Sequence, residues 1–151
     1  MSDPTRSDYM QIVAEARRND DCQRMLEAIP YMAFMGIHLQ RSAGELLTSM
    51  RFSDHLIGNP TLPALHGGTL GALMESAAVF ELMWRVELTT VPKIVNITVD
   101  YLRSGQPVDT YAKARLTRQG RRVATVSVDA WQDDRERPIA SANLHLLISP
   151  A

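Results

Sequence analysis

The 151-residue chain has one cysteine, Cys22, so an internal disulfide is excluded. It also lacks any cluster of cysteine and histidine with the spacing of a zinc site, and no metal is expected. Charge of either sign is not in excess: the formal net charge is −1. That balance gives no reason to expect nucleic-acid binding or attraction to a membrane surface. A secretory pattern is missing, because Asp3, Arg6 and Asp8 precede any apolar run, and the expected location is cytoplasmic. Internal repeats and low-complexity tracts are absent as well. The length suits one domain of ordinary size with a real core.

What the chain does have is one apolar stretch, Leu65 to Val86, with the sequence LHGGTLGALMESAAVFELMWRV. Alanine, leucine and methionine dominate it, all good helix formers, and the next proline is Pro92. Apolar residues occur all round the helical wheel, the mark of a buried helix. Glu81 and Arg85 would make membrane insertion costly, so a membrane span is not expected. Their i,i+4 spacing reads as a rim ion pair. Glu75 is the only charge on its own stripe, which otherwise carries Gly68, Gly71, Ala72, Ala78, Val79, Leu82 and Val86. Burying a lone carboxylate is expensive, which makes Glu75 a candidate for function.

Residues 1–34 read as a polar, mixed-charge helical arm. Ser7 and Asp20 or Asp21 are its candidate N-caps, and its helices are expected to end before Pro30. The remaining domain is 35–151. From Ile37 the apolar period becomes two: Ile37 and Leu39, then, after Ser42-Ala43-Gly44, Leu46, Thr48, Met50 and Phe52. Asp54 to Ala64, with two prolines and a glycine, reads as a loop. Beyond the helix, four alternating segments follow, centred on Val95–Tyr101, Ala112–Leu116, Ala124–Ala130 and Ala140–Ile148, separated by polar turns. They predict an antiparallel meander. Five or six such strands and one apolar helix predict an α+β fold in which the sheet wraps around the helix. Small residues on the strand faces would let the sheet approach it closely.

With LHGGTLGALMES at residues 65–76, the chain resembles hotdog-fold acyl-CoA thioesterases of the PaaI type, over roughly Met35 to Ile148. The family pattern is His-Gly-Gly with an acidic residue nine positions after the histidine. The resemblance implies that the Gly67 backbone N–H polarises the thioester carbonyl. It makes Glu75 the nucleophile or general base, while His66 fixes the turn. Asn59 is the counterpart of an upstream Asn that places substrate or water, and basic residues near the Gln119-Gly120 turn, Arg121 and Arg122, would hold the phosphates of coenzyme A. Val79 stands where some Glu-type members have threonine. Glycine at 67 and 68 leaves room for a ligand at the backbone, and a helix N-terminus suits a developing oxyanion.

Gly67 and Glu75 are eight residues apart, about 12 Å along a helix, too far to share one thioester carbon. Two antiparallel helices from two subunits resolve this, and the expectation is a homodimer with shared sites, or a dimer of dimers. The expected activity is hydrolysis of an acyl-CoA without metal or redox cofactor, coenzyme A being part of the substrate. A non-catalytic acyl-CoA-binding protein and a hotdog hydratase or dehydratase are the alternatives.

Overall fold

The computed structural model describes residues 4–151, with side chains from Asp8 onward. Three helices open it: α1 (Pro4–Arg18), α2 (Arg24–Glu27) and α3 (Pro30–Met35). Pro30 begins a helix instead of following one, because at the first helical position its missing N–H costs nothing. The backbone is already helical at Ser7, whose side chain lies outside the described residues, and Gln23 precedes α2. Gly36, in the left-handed conformation, stops α3 and turns the chain into the sheet. The arm does not stand apart from the domain. Val13, Ala16, Cys22, Met25 and Leu26 are buried in one core with the central helix and the strands.

Strands β1 (Ile37–Ser42) and β2 (Glu45–Met50) form the expected hairpin. The segment expected to be a loop holds a 3-10 turn, Asp54–Leu56, and two short paired strands, β3 (Ile57–Asn59) and β4 (Ala64–Leu65). Helix α4 (Gly67–Arg85) follows, then β5 (Lys93–Tyr101), β6 (Thr110–Gln119), β7 (Val123–Trp131) and β8 (Ala140–Leu147). The large sheet is antiparallel, in the order β1-β2-β6-β7-β8-β5.

This order corrects the meander. Strand β5 pairs with β8 at the far edge, not with β6. The 102–109 segment therefore crosses the end of the sheet, and it is tied down on the way. Leu65 N–H donates to Gly105 O, Phe52 N–H to Asp109 Oδ1, and the Gln132 carboxamide brackets Gln106 from both sides. A crossover so held also supports the start of α4. A bulge between Ile94 and Asn96 breaks the alternation of β5 and leaves Val95 60% exposed, although its parity suggested the inner face.

One face of the sheet packs on α4. Ala112, Ala114, Ala124, Ala130, Ala140 and Ala142 are all buried there, as the small-residue pattern predicted. Leu73, Ala77 and Phe80 share one side of the helix and are fully buried, together with Met74 and Leu82. The other flank of α4, carrying Gly71, Ala72, Glu75 and Val79, stays partly open in the single chain. Among the described residues no helix is long and apolar enough to cross a membrane.

Candidate active site

Helix α4 begins where β4 ends, and the junction is fastened donor by donor. Leu65 N–H reaches Gly105 O, His66 N–H reaches Leu56 O at 2.9 Å, and Thr69 N–H reaches His66 O. Gly68 N–H donates to His66 Nδ1 at 2.9 Å, so the histidine ring is the N-cap of the helix. Between these, Gly67 N–H alone has no protein partner among the described residues. An open donor at a helix N-terminus is a ready site for a carbonyl oxygen gaining negative charge.

Three close approaches give this turn its shape. A Cβ on Gly68 would lie 3.0 Å from His66 Nδ1, so a side chain there would press on the capping ring. A Cβ on Gly58 would lie 2.6 Å from His66 Cα. A Cβ on Gly67 would lie 3.2 Å from the Tyr101 ring, whose hydroxyl donates to Gly67 O at 3.0 Å. Gly58 and Tyr101 carry no motif and were not candidates; only the packed structure shows what they touch. A backbone amide can only donate, so Nδ1 of His66 carries no proton and the neutral ring is protonated on Nε2.

The other candidates are dispersed. Glu75 lies two helical turns from Gly67, about 12 Å along the axis, and is half-buried, with no hydrogen bond or ion pair among the described residues. Asn59 ends β3, and its Oδ1 accepts from Thr61 N–H and Leu62 N–H, which holds the loop ahead of β4. Arg121 and Arg122 occupy the β6–β7 turn. With Arg118, Thr125 and His145 they line a recess of about 450 Å³ without an acidic side chain. Ile148 N–H bonds Arg122 O, and Lys93 pairs with Leu147, so this turn sits beside the start of β5. Gly67 sits by Tyr101 at the other end, about 26 Å away along a strand of that length. The structure thus gathers His66, Gly67 and Gly68, and leaves Glu75, Arg121 and Arg122 apart from them within one chain.

The buried carboxylate of α4 is Glu81, not Glu75. Expected at the rim, Glu81 is 3% exposed, and it accepts from Arg85 Nε at 2.7 Å and Lys113 Nζ at 3.1 Å. Lys113 is 5% exposed and also donates to Leu46 O. Strands β2 and β6 pair only over Thr48–Met50, and Lys113 follows the last paired residue, Ala112. There its long side chain reaches the helix.

The chain belongs to the thioesterase superfamily, whose family model matches residues 62–139, more than half of it. A solved protein from Chromobacterium violaceum is 40% identical over 92% of this chain and 97% of that one, with a TM-score of 0.75. A phenylacetic acid degradation-related protein from Ralstonia eutropha is 20% identical, covering 90% and 98%, with a TM-score of 0.74. A Bacillus halodurans protein solved with CoA is 15% identical, covering 95% and 93%, also with a TM-score of 0.74. The last two show likeness of fold alone. No curated protein matches this chain.

Proposed function

We propose that this protein hydrolyses an acyl-CoA thioester to the free acid and coenzyme A. The observation that carries the reading is the unpartnered Gly67 N–H, held open between bonded neighbours at the start of an apolar helix. It would donate to the thioester oxygen as the carbonyl carbon becomes tetrahedral. A donor of this kind is worth roughly 3 kcal/mol in the transition state. Glu75 of a second, antiparallel copy would either take a proton from the attacking water or attack that carbon itself, forming a mixed anhydride that water hydrolyses to the free acid once the thiolate has gone. The thiolate of coenzyme A then leaves and is protonated. No metal or redox cofactor enters this scheme.

The dimer is part of the proposal. Glu75 and the small residues beside it lie on the open flank of α4, and β5 is an edge strand with unpaired backbone groups. A copy running antiparallel along β5 would carry its β6–β7 turn toward this chain's Gly67. The partner subunit's arginine-lined recess would then be placed to take the phosphates of coenzyme A, and Asn59 would help to place substrate or water through its amide N–H groups, which have no partner among the described residues. A dehydratase would need His66 as a base at the substrate α-carbon. The geometry disfavours that, since Nδ1 already accepts from Gly68 N–H and Nε2 carries the proton.

Thiol release from short, medium, long and aromatic acyl-CoAs, measured with a thiol-reactive dye on wild type and Glu75→Ala, tests the reading. Cys22 will add little background, because burial pushes its thiol pKa up and shields it. Turnover that collapses in the variant supports hydrolysis. Binding of acyl-CoA with no thiol release from any substrate would replace it with a binding protein.

A further inference from the structure

We infer that Tyr101 is a positioning residue for the Gly67 oxyanion donor, through its hydroxyl bond to the Gly67 carbonyl. The inference rests on the hydrolytic reading above and adds to it a group outside the His-Gly-Gly motif.

Tyr101 is the last residue of β5, at the sheet edge beside the start of α4, and the residue is 56% exposed. Its hydroxyl nevertheless takes one defined partner, Gly67 O, at 3.0 Å. Side chains that exposed are ordinarily free to hydrate, so a bond across 34 residues of sequence marks a fixed contact. The ring also occupies the space that a Cβ at residue 67 would need, which couples the glycine to the tyrosine sterically.

The bond acts on the right peptide. The Gly67 carbonyl belongs to the same peptide unit as Gly68 N–H, and that N–H donates to His66 Nδ1. Tyr101 hydroxyl, the 67–68 peptide and the His66 ring therefore form one hydrogen-bonded chain, in which each bond polarises the next. That chain brackets Gly67 N–H on both sides. With the 67–68 peptide held by Tyr101 and the 66 side chain held by Gly68, the intervening amide has little freedom to rotate away from an incoming carbonyl. Fixed donors aimed at developing charge are what make such stabilisation large, since no reorganisation is needed during reaction.

The arrangement makes a distinction between ring and hydroxyl. Tyr101→Phe keeps the ring against Gly67 and removes only the donor. The expected result is a kcat lowered about fivefold, the factor carried by one neutral hydrogen bond. KM should stay within about twofold, and the melting temperature should fall by no more than about 4 °C. In ¹⁵N-labelled protein the Gly67 and Gly68 amide resonances should shift and exchange faster with solvent. A kcat within about twofold of wild type overturns the inference, whether or not the amides move. So does a rise in KM at constant kcat, which would assign Tyr101 to substrate contact instead. If wild type releases no thiol from any acyl-CoA, the hydrolytic reading has failed. The amide measurement then decides alone whether Tyr101 holds the turn, and unmoved amides overturn it.

Discussion

Gly58 and His66 press backbone to backbone: a methyl group on Gly58 would stand 2.6 Å from His66 Cα and 2.9 Å from its ring. No rotamer change relieves a clash with Cα, so Gly58→Ala must move the β3 backbone or the capping turn. Either motion disturbs the line from Leu56 O through His66 N–H that seats the helix start. The expected outcome is a fall in kcat of tenfold or more, with a stability loss of about 1–3 kcal/mol. Thiol-release kinetics and urea denaturation check the two together. A variant with wild-type kcat would show that the turn can shift without consequence.

The separation of Gly67 and Glu75 on one helix makes a stricter prediction. If each site takes Gly67 from one copy and Glu75 from the other, two inactive variants should rescue each other. Glu75→Ala keeps a working Gly67, and Gly67→Val, which drives a side chain into Tyr101, keeps a working Glu75. Unfolded together and refolded in equal amounts, they would form hybrid dimers with one intact site. About a quarter of wild-type activity should return, from statistical mixing of a two-fold symmetric pair. No recovery in a mixture shown to contain hybrids would place both groups of a site in one chain.

The helix, most strands and the capped turn were legible because they rest on local rules. Apolar residues all round the wheel mark α4, period-two alternation marks the strands, and His66-Gly67-Gly68 marks a helix start that a ligand can approach. What sequence could not show depends on contacts between distant residues. Val95 lost its expected face to a bulge whose only signal is the partner strand's register. Alternation with the buried Ala112 and Ala114 would turn Lys113 outward. It is buried where β2 and β6 have separated, just past Ala112. The place of β5 beside β8 follows from a crossover pinned by Leu65, Asp109 and Gln132, none of which announces that role.

Glu81 and Lys113 should matter to folding more than to chemistry. The pair is buried between α4 and β6, and removing one member leaves the other desolvated and uncompensated. Such a loss costs about 3–5 kcal/mol. Lys113→Met should fall near the lower end, since Arg85 still neutralises Glu81, and Glu81→Gln should be comparable. The midpoint of urea unfolding reads both. Equal stability of Lys113→Met and wild type would mean that water replaces the ammonium group at this site.

Tyr9 on α1 gives the arm a pH signature. Its hydroxyl donates to Met25 O at 2.8 Å, and burial drives its pKa well above the ordinary tyrosine value of 10.0. A group whose pKa is raised on folding contributes stability that is fully present below its unfolded pKa. That contribution is lost as pH climbs toward the folded value, because the unfolded chain gives up the proton first. Unfolding free energy should therefore begin to fall above about pH 10, with a slope to which Tyr9 contributes up to one proton. In Tyr9→Phe that part of the slope disappears, although the variant starts from a lower plateau through loss of the bond to Met25. Urea unfolding at several pH values between 8 and 11, on both proteins, measures the difference directly. Parallel pH curves would mean that the phenol is hydrated in solution and that α1 opens locally before the rest of the domain.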